Sequence, residues 1–183
     1  MRVISGTARG TVLFCPETDG LRPTTDRVKE NIFNLIQFEV SKRRVLDLFA
    51  GSGAMGIEAL SRGAEYCVFC DSGKEALSAV KSNIKKTRME DKATVLADDF
   101  ESVISRLSDK FSLVFLDPPY HKGYVEKAIK KLEIKKLLSD DAIIVAETDG
   151  DEEPGEYESF DIRTVRKYGR IKITVYQKKK GCD

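Results

Sequence analysis

One stretch constrains the fold more than any other part of the chain: Asp47-Leu48-Phe49-Ala50-Gly51-Ser52-Gly53-Ala54-Met55-Gly56. It sets G-x-G-x-x-G directly after the apolar run Val45 to Phe49 and at the start of a helical segment, Ala54 to Ser61. A strand that turns through glycines into a helix opens a nucleotide-binding α/β fold. The glycines let the backbone approach a ligand and leave helix N-terminal amides facing it. Asp71 follows twenty residues after Gly51 and ends a second apolar run, where a carboxylate can accept both ribose hydroxyls. The combination points to an adenosine-containing cofactor, with Asp47, Phe49, Ala50, Gly51, Gly53 and Asp71 around it. It does not separate a nicotinamide nucleotide from a methyl donor.

The rest of the chain alternates in the same way. Strand signals at Tyr66 to Cys70, Ala93 to Ala97, Phe111 to Leu116 and Ala142 to Ala146 are separated by helical periods at Lys74 to Lys86, Phe100 to Leu107 and Tyr124 to Leu132. Such alternation implies right-handed crossovers and a doubly wound, mostly parallel sheet covered on both faces. Asp161 to Val165 and Ile171 to Tyr176, around Gly169, read as a C-terminal hairpin that adds antiparallel pairing. Upstream, residues 1–21 read as an N-terminal β-ribbon and residues 22–183 as the main domain. Thr24, Thr25 or Asp26 can cap a helix carrying Val28, Ile32, Phe33, Leu35, Ile36 and Val40 on its apolar face. The acidic segment 147–161, with Pro154 and Gly155, reads as a solvated loop.

A chain of 183 residues suits one domain with a substantial core. It has no apolar run of membrane-spanning length and no signal-peptide pattern at its start, so the expected compartment is the cytoplasm and no membrane partner is expected. Cys67 and Cys70 form C-x-x-C within a strand signal, where they point to opposite faces, and His121 is the single histidine; no metal site is expected. Net charge is +1, but its distribution is uneven. Glu147 to Asp161 holds eight acids and no base, and Arg163 to Lys180 eight bases and no acid. Arg2, Arg9, Arg22, Arg27 and Lys29 make the other end basic, a pattern compatible with a phosphate-binding face.

Asp98 and Asp99 follow the third strand signal, and a carboxylate there can accept from an adenine amino group while a backbone amide beside Phe100 donates to a ring nitrogen. Either aspartate can instead cap the helix that begins at Phe100. The fourth strand signal runs into Asp117-Pro118-Pro119-Tyr120. In a doubly wound sheet this tetrapeptide faces the same crevice as Gly51. An amino group on a nucleic-acid base is a poor nucleophile because its lone pair is delocalised into the ring. Accepting both N–H groups, by the Asp117 carboxylate and the Pro118 carbonyl, localises that lone pair. Pro118 and Pro119 stiffen the backbone, and Tyr120 offers a ring on which an extruded base can stack.

The chain resembles, over nearly its whole length, the bacterial 16S rRNA guanine-N2 methyltransferases of the RsmD type. The matching stretches are Ile4-Ser5-Gly6 with Arg9-Gly10, Leu21 to Val28, Leu46 to Gly53, Gly56 to Ala64, Phe115 to Tyr120 and Tyr168-Gly169. The resemblance implies a class I, seven-stranded S-adenosylmethionine methyltransferase fold with an N-terminal ribbon. It implies methyl transfer to guanine N2 of 16S rRNA, with the small ribosomal subunit or an assembly intermediate as partner and a monomeric enzyme as the simpler expectation. Arg9, Arg22, Thr25 and Arg27 are then expected near the cofactor and target base with Pro119 and Tyr120, while Asp117 also borders the cofactor. Asp71 stands where the family usually has Glu. Two other functions fit the motifs: a DNA adenine-N6 or cytosine-N4 methyltransferase, which normally needs a target-recognition domain, and a non-catalytic cofactor- and RNA-binding protein, which the intact Asp117 to Tyr120 disfavours.

Overall fold

A computed structural model describes residues 1–16 and 26–181. The elements are α1 (Asp26–Leu35), β1 (Arg44–Asp47), α2 (Ala54–Ser61), β2 (Tyr66–Asp71), α3 (Lys74–Thr87), β3 (Ala93–Ala97), α4 (Phe100–Arg106), β4 (Phe111–Leu116), α5 (Tyr124–Ile134), β5 (Leu138–Asp149), β6 (Phe160–Tyr168) and β7 (Ile171–Lys178). Seven strands form one sheet in the order β3-β2-β1-β4-β5-β7-β6. The first five are parallel, and β7 enters antiparallel between β5 and β6. The chain reverses direction across the sheet beside β1 and β4, so their carboxyl ends frame the crevice in which ligands bind in such folds.

Side chains alternate between two cores, as the pleat requires. Val45, Cys67, Phe69, Leu113, Phe115 and Val145 pack under α1, α2 and α3. Leu46, Val68, Cys70, Val114, Leu116 and Ile144 pack under α4 and α5. Cys67 and Cys70 therefore lie on opposite faces, and burial raises both thiols, that of Cys70 to about 12. Gly56 is where α2 touches the sheet. A Cβ there would sit 2.3 Å from the Phe69 ring and 2.6 Å from the Cys67 sulfur, so any side chain would push helix and strand apart.

Three sequence expectations change. Ile36 and Val40 lie beyond the end of α1, buried in the turn that leads into β1. The strand expected at Ala142 to Ala146 runs from Leu138 to Asp149, because Leu138 pairs with Phe111 of β4 at one end and β7 pairs with it from Ile143 to Asp149 at the other. The acidic segment 147–161 is consequently not all loop: Glu147, Thr148 and Asp149 belong to β5, and Phe160 and Asp161 to β6. Near the amino terminus, antiparallel hydrogen bonds join Val3 to Thr11 and Leu13 to Met1, with a bridge between Arg2 and Val12.

Candidate active site

The turn after β1 is held by its own backbone and by one carboxylate. Ala50 donates to the Cys70 carbonyl at 2.8 Å, and Gly53 donates to the Ala50 carbonyl at 2.6 Å. Gly51 and Gly53 adopt φ of 54° and 78°, left-handed values that favour glycine, and nothing lies within 4 Å of a Cβ added at Gly51. Asp71 accepts from the Gly51 amide with one oxygen and from the Gly73 amide with the other, both at 2.8 Å. Asp47 is buried at the end of β1, and its carboxylate accepts from the Gly56 amide at 3.0 Å, in the first turn of α2. Burial, with Asp71 adding repulsion, raises the Asp47 carboxyl to about 7.

At the end of β3 the two aspartates divide their tasks. Asp99 caps α4, accepting from the Glu101 and Ser102 amides at 3.0 Å. Asp98 accepts from Arg106 at 2.8 Å and from the Asp99 amide at 2.9 Å, and its own amide reaches the Asp71 carbonyl at 3.2 Å. Between these carboxylates and the fourth strand lies an aromatic group. Phe49 and Phe100 stand 5.2 Å apart, and Tyr124 lies parallel to Phe49 at 6.3 Å. Carboxylates and flat apolar rings along one crevice suit an adenosine.

The fourth strand ends at Leu116, and Asp117-Pro118-Pro119-Tyr120 follows beside the glycine turn, since β1 and β4 are paired neighbours. Pro118 is buried, Pro119 exposed, and Asp117 and Tyr120 half-buried. The Tyr120 hydroxyl donates to Glu147 at 2.7 Å. Burial and the carboxylates of Glu147, Asp117 and Asp149 raise the Tyr120 phenol far above its ordinary value, so it stays a donor. A cavity opens here, lined by Pro118, Pro119, Tyr120, Tyr124, Glu147 and Thr148 among others. His121 flanks it at φ 58°, exposed, with Asp149 at 3.8 Å and Glu152 at 3.9 Å.

This geometry has close counterparts. A family described as conserved hypothetical protein 95 matches residues 1–177. Ribosomal RNA small subunit methyltransferase D of Escherichia coli (strain K12) is 36% identical over 149 residues, which span 81% of this chain and 75% of that protein. The protein of that name from Haemophilus influenzae is 33% identical over 180 residues, 97% of this chain and 93% of its own. A solved structure, Escherichia coli yhhF, superposes with a TM-score of 0.88 at 32% identity, covering 98% of each chain. The chain belongs to the conserved hypothetical protein 95 family, that of the small-subunit rRNA methyltransferase D proteins.

In this member of the family, a buried network ties the amino-terminal segment to the glycine turn's helix. Glu58 of α2 accepts from the Ile4 and Ser5 amides at 2.8 and 3.0 Å, from Arg62 at 2.8 Å, and pairs with Lys29 of α1 at 3.2 Å. Glu58 and Lys29 are both fully buried, and the Lys29 ammonium also donates to the Arg2 carbonyl at 2.6 Å. Asn83 of α3 holds Phe14 by two backbone hydrogen bonds and the Ser52 carbonyl by a third. Arg9 is exposed on the amino-terminal turn and Arg27 is exposed on α1. Arg22 and Thr25 lie outside the described residues.

Two residues at the crevice and one behind the glycine turn escaped the sequence reading. Tyr124 appeared only as a helix start, although an aromatic just after a glycine at the mouth of a crevice is a usable signal. Glu147 appeared as part of a solvated acidic run, and Asn83 as an ordinary helix residue. Neither signal is local: both side chains are defined by what packs against them from more than 25 residues away.

Proposed function

We propose that this protein transfers the methyl group of S-adenosylmethionine to the exocyclic N2 of a guanine in 16S rRNA, presented by the small ribosomal subunit or an assembly intermediate. The observation that carries the reading is Asp117-Pro118-Pro119-Tyr120 at the carboxyl end of β4, beside the Gly51 turn. The substrate assignment draws on relatives named for small-subunit ribosomal RNA methylation. The same proposal divides the chain into a ribbon of residues 1–21 and a methyltransferase domain of 22–183, and makes Arg9, Arg22, Thr25 and Arg27 contacts of the RNA.

Gly51, Gly53, Asp71 and the Phe49–Phe100–Tyr124 rings would hold the cofactor, which when bound supplies a methyl group on a positive sulfur. The Asp117 carboxylate and the Pro118 carbonyl accept the two N2–H bonds, which pulls the amine out of conjugation and aims its lone pair. Tyr120 and Pro119 present flat surfaces to a base taken out of its stack. The Asp117 carboxylate would stabilise the positive charge that the amine takes on with the methyl group, until a proton leaves the nitrogen to solvent.

The experiment is transfer of labelled methyl to purified 30S particles, protein-free 16S rRNA and duplex DNA, followed by nucleoside analysis. Labelled N2-methylguanosine from RNA alone is the expected result. Labelled N6-methyladenosine, N4-methylcytidine or labelled DNA would overturn the reading.

A further inference from the structure

We infer that the β6–β7 turn is a phosphate-binding surface that holds the RNA backbone beside the target base, through Arg166, Lys167 and Arg170. This rests on the RNA-substrate reading above and names residues that reading does not use. β7 runs antiparallel to β5 with Ile171 opposite Asp149, so the turn before β7 lies at the carboxyl end of β5. Asp117 and Tyr120 follow β4 at that same end, because β4 and β5 are parallel. The turn is tied to the cavity wall. The Gly150 amide donates to the Arg170 carbonyl at 2.8 Å, and the Lys172 ammonium donates to the carbonyl of Glu152, a residue of the cavity lining. Tyr168 pairs with Ile171 across a two-residue turn, with Gly169 at φ 64° in its first position. Such a turn follows the twist of its strands and holds Arg170 at a fixed apex.

Charge pairing separates this turn from the rest of the hairpin. Arg163 pairs with Glu39, Lys178 with Asp140 and Lys179 with Asp161, all away from the turn. Among the described residues, Arg166, Lys167 and Arg170 form no ion pair, and all three are exposed. Lys167 stands directly opposite Lys172 in the strand register, and like charges so placed repel. Lys172 is buried and meets Glu153 at 3.5 Å. The Lys167 side chain instead lies across Gly150, where an added Cβ would sit 2.6 Å from its Cε. Repulsion without a compensating acid is a cost that a bound anion removes. The acids alongside face other groups: Glu152 accepts the Asp149 and His121 amides, and Asp149 and Asp151 gather around His121. β6 is the edge strand, and Arg166 and Lys167 project from its opposite faces. With Arg170 at the apex they bracket the rim of the sheet. That arrangement suits a polyanionic strand passing the mouth of the site, not a compact anion held in a pocket.

The test is binding to protein-free 16S rRNA and to purified small-subunit particles over a range of salt, with steady-state methyl transfer on the same particles. Each phosphate contact contributes about 0.7–0.9 to the slope of log affinity against log salt concentration. The triple change Arg166→Gln, Lys167→Gln and Arg170→Gln is expected to lower that slope by about 2, and to weaken binding about tenfold or more at ~0.1 M salt. KM for the RNA substrate should rise by a like factor while kcat and S-adenosylhomocysteine affinity hold, since none of the three touches the reacting atoms. Arg170→Gln alone is expected to lower the slope by about 1. The control, Lys178→Gln with Lys179→Gln, removes two cations from the far end of the hairpin and is expected to leave slope and KM in place. An unchanged slope in the triple variant overturns the inference, as does an equal loss per charge in the control. A fall in kcat with KM unchanged also overturns it, and so does a wild type that binds neither RNA nor particles. Failure of the guanine reading itself looks different: the wild type then binds RNA but yields no N2-methylguanosine, and the salt slopes still decide the surface.

Discussion

Asp71 reaches back across twenty residues to accept the Gly51 amide at 2.8 Å, and with its other oxygen it accepts the Gly73 amide at the same distance. One carboxylate thus fixes the glycine turn that follows β1 against the end of β2, with β4 on the other side of β1. Asp71→Ala frees that turn and removes a charge-assisted bond of about 1.5–3 kcal/mol. Affinity for S-adenosylhomocysteine, measured by calorimetry, is expected to fall about tenfold or more. An unchanged affinity would show that the turn is set by its backbone alone.

Asp117→Ala addresses the other wall of the crevice. On the proposed mechanism it removes the carboxylate that meets developing positive charge, so single-turnover methyl transfer is expected to drop by roughly 10²–10³. S-adenosylhomocysteine affinity should change far less, because the glycine turn is untouched. Transfer at near wild-type rate would eliminate the mechanism.

The buried Asp47 gives stability a pH dependence of unusual sign. Its carboxyl is raised to about 7 in the folded protein from 3.8, chiefly by burial. The folded state therefore holds more protons than the unfolded chain between those values, and this group's contribution to stability falls as pH rises from about 4 to about 7. Asp47→Asn keeps an oxygen for the Gly56 amide and cannot ionise. Melting temperatures of the unliganded proteins should show the variant gaining on the wild type across that window. A constant difference from pH 4 to pH 8 would exclude Asp47 as the cause.

Lys29 and Glu58 lie fully buried, 3.2 Å apart, at the junction of α1, α2 and the amino-terminal segment. Lys29→Met fills the volume but strips a buried carboxylate of one cation and the Arg2 carbonyl of its donor. Denaturant unfolding is expected to show a loss of about 3–5 kcal/mol. A loss under about 1 kcal/mol would mean that Arg62 and the Ile4 and Ser5 amides satisfy Glu58 without help.

Much of the architecture is legible because it is local. The helices at Ala54–Ser61 and Lys74–Thr87 and the strands at Ala93–Ala97 and Phe111–Leu116 follow from periodicity that neighbouring residues carry. Asp99 shows where locality ends. Its sequence context suits a cap and an adenine contact equally, and the fold shows the cap: the first amides of α4 point at Asp99 while Asp98 turns to Arg106.

The opening stretch, Asp47 to Gly56, declared an adenosine cofactor from sequence alone, and the tetrapeptide at Asp117 pointed to the proposed amine chemistry, since each depends on residues adjacent in the chain. The buried acids were decided only by tertiary structure. Glu147 reads as one acid in a run of eight, yet pairing of β5 with β7 draws it into the sheet and under Tyr120. Glu58 reads as a helix surface residue, yet α1 and the amino-terminal segment close over it. Strand register and helix docking are set by hydrogen-bond ladders and packing between segments far apart in sequence. A side chain's burial, and hence its chemistry, is a property of that assembly and not of its neighbours along the chain.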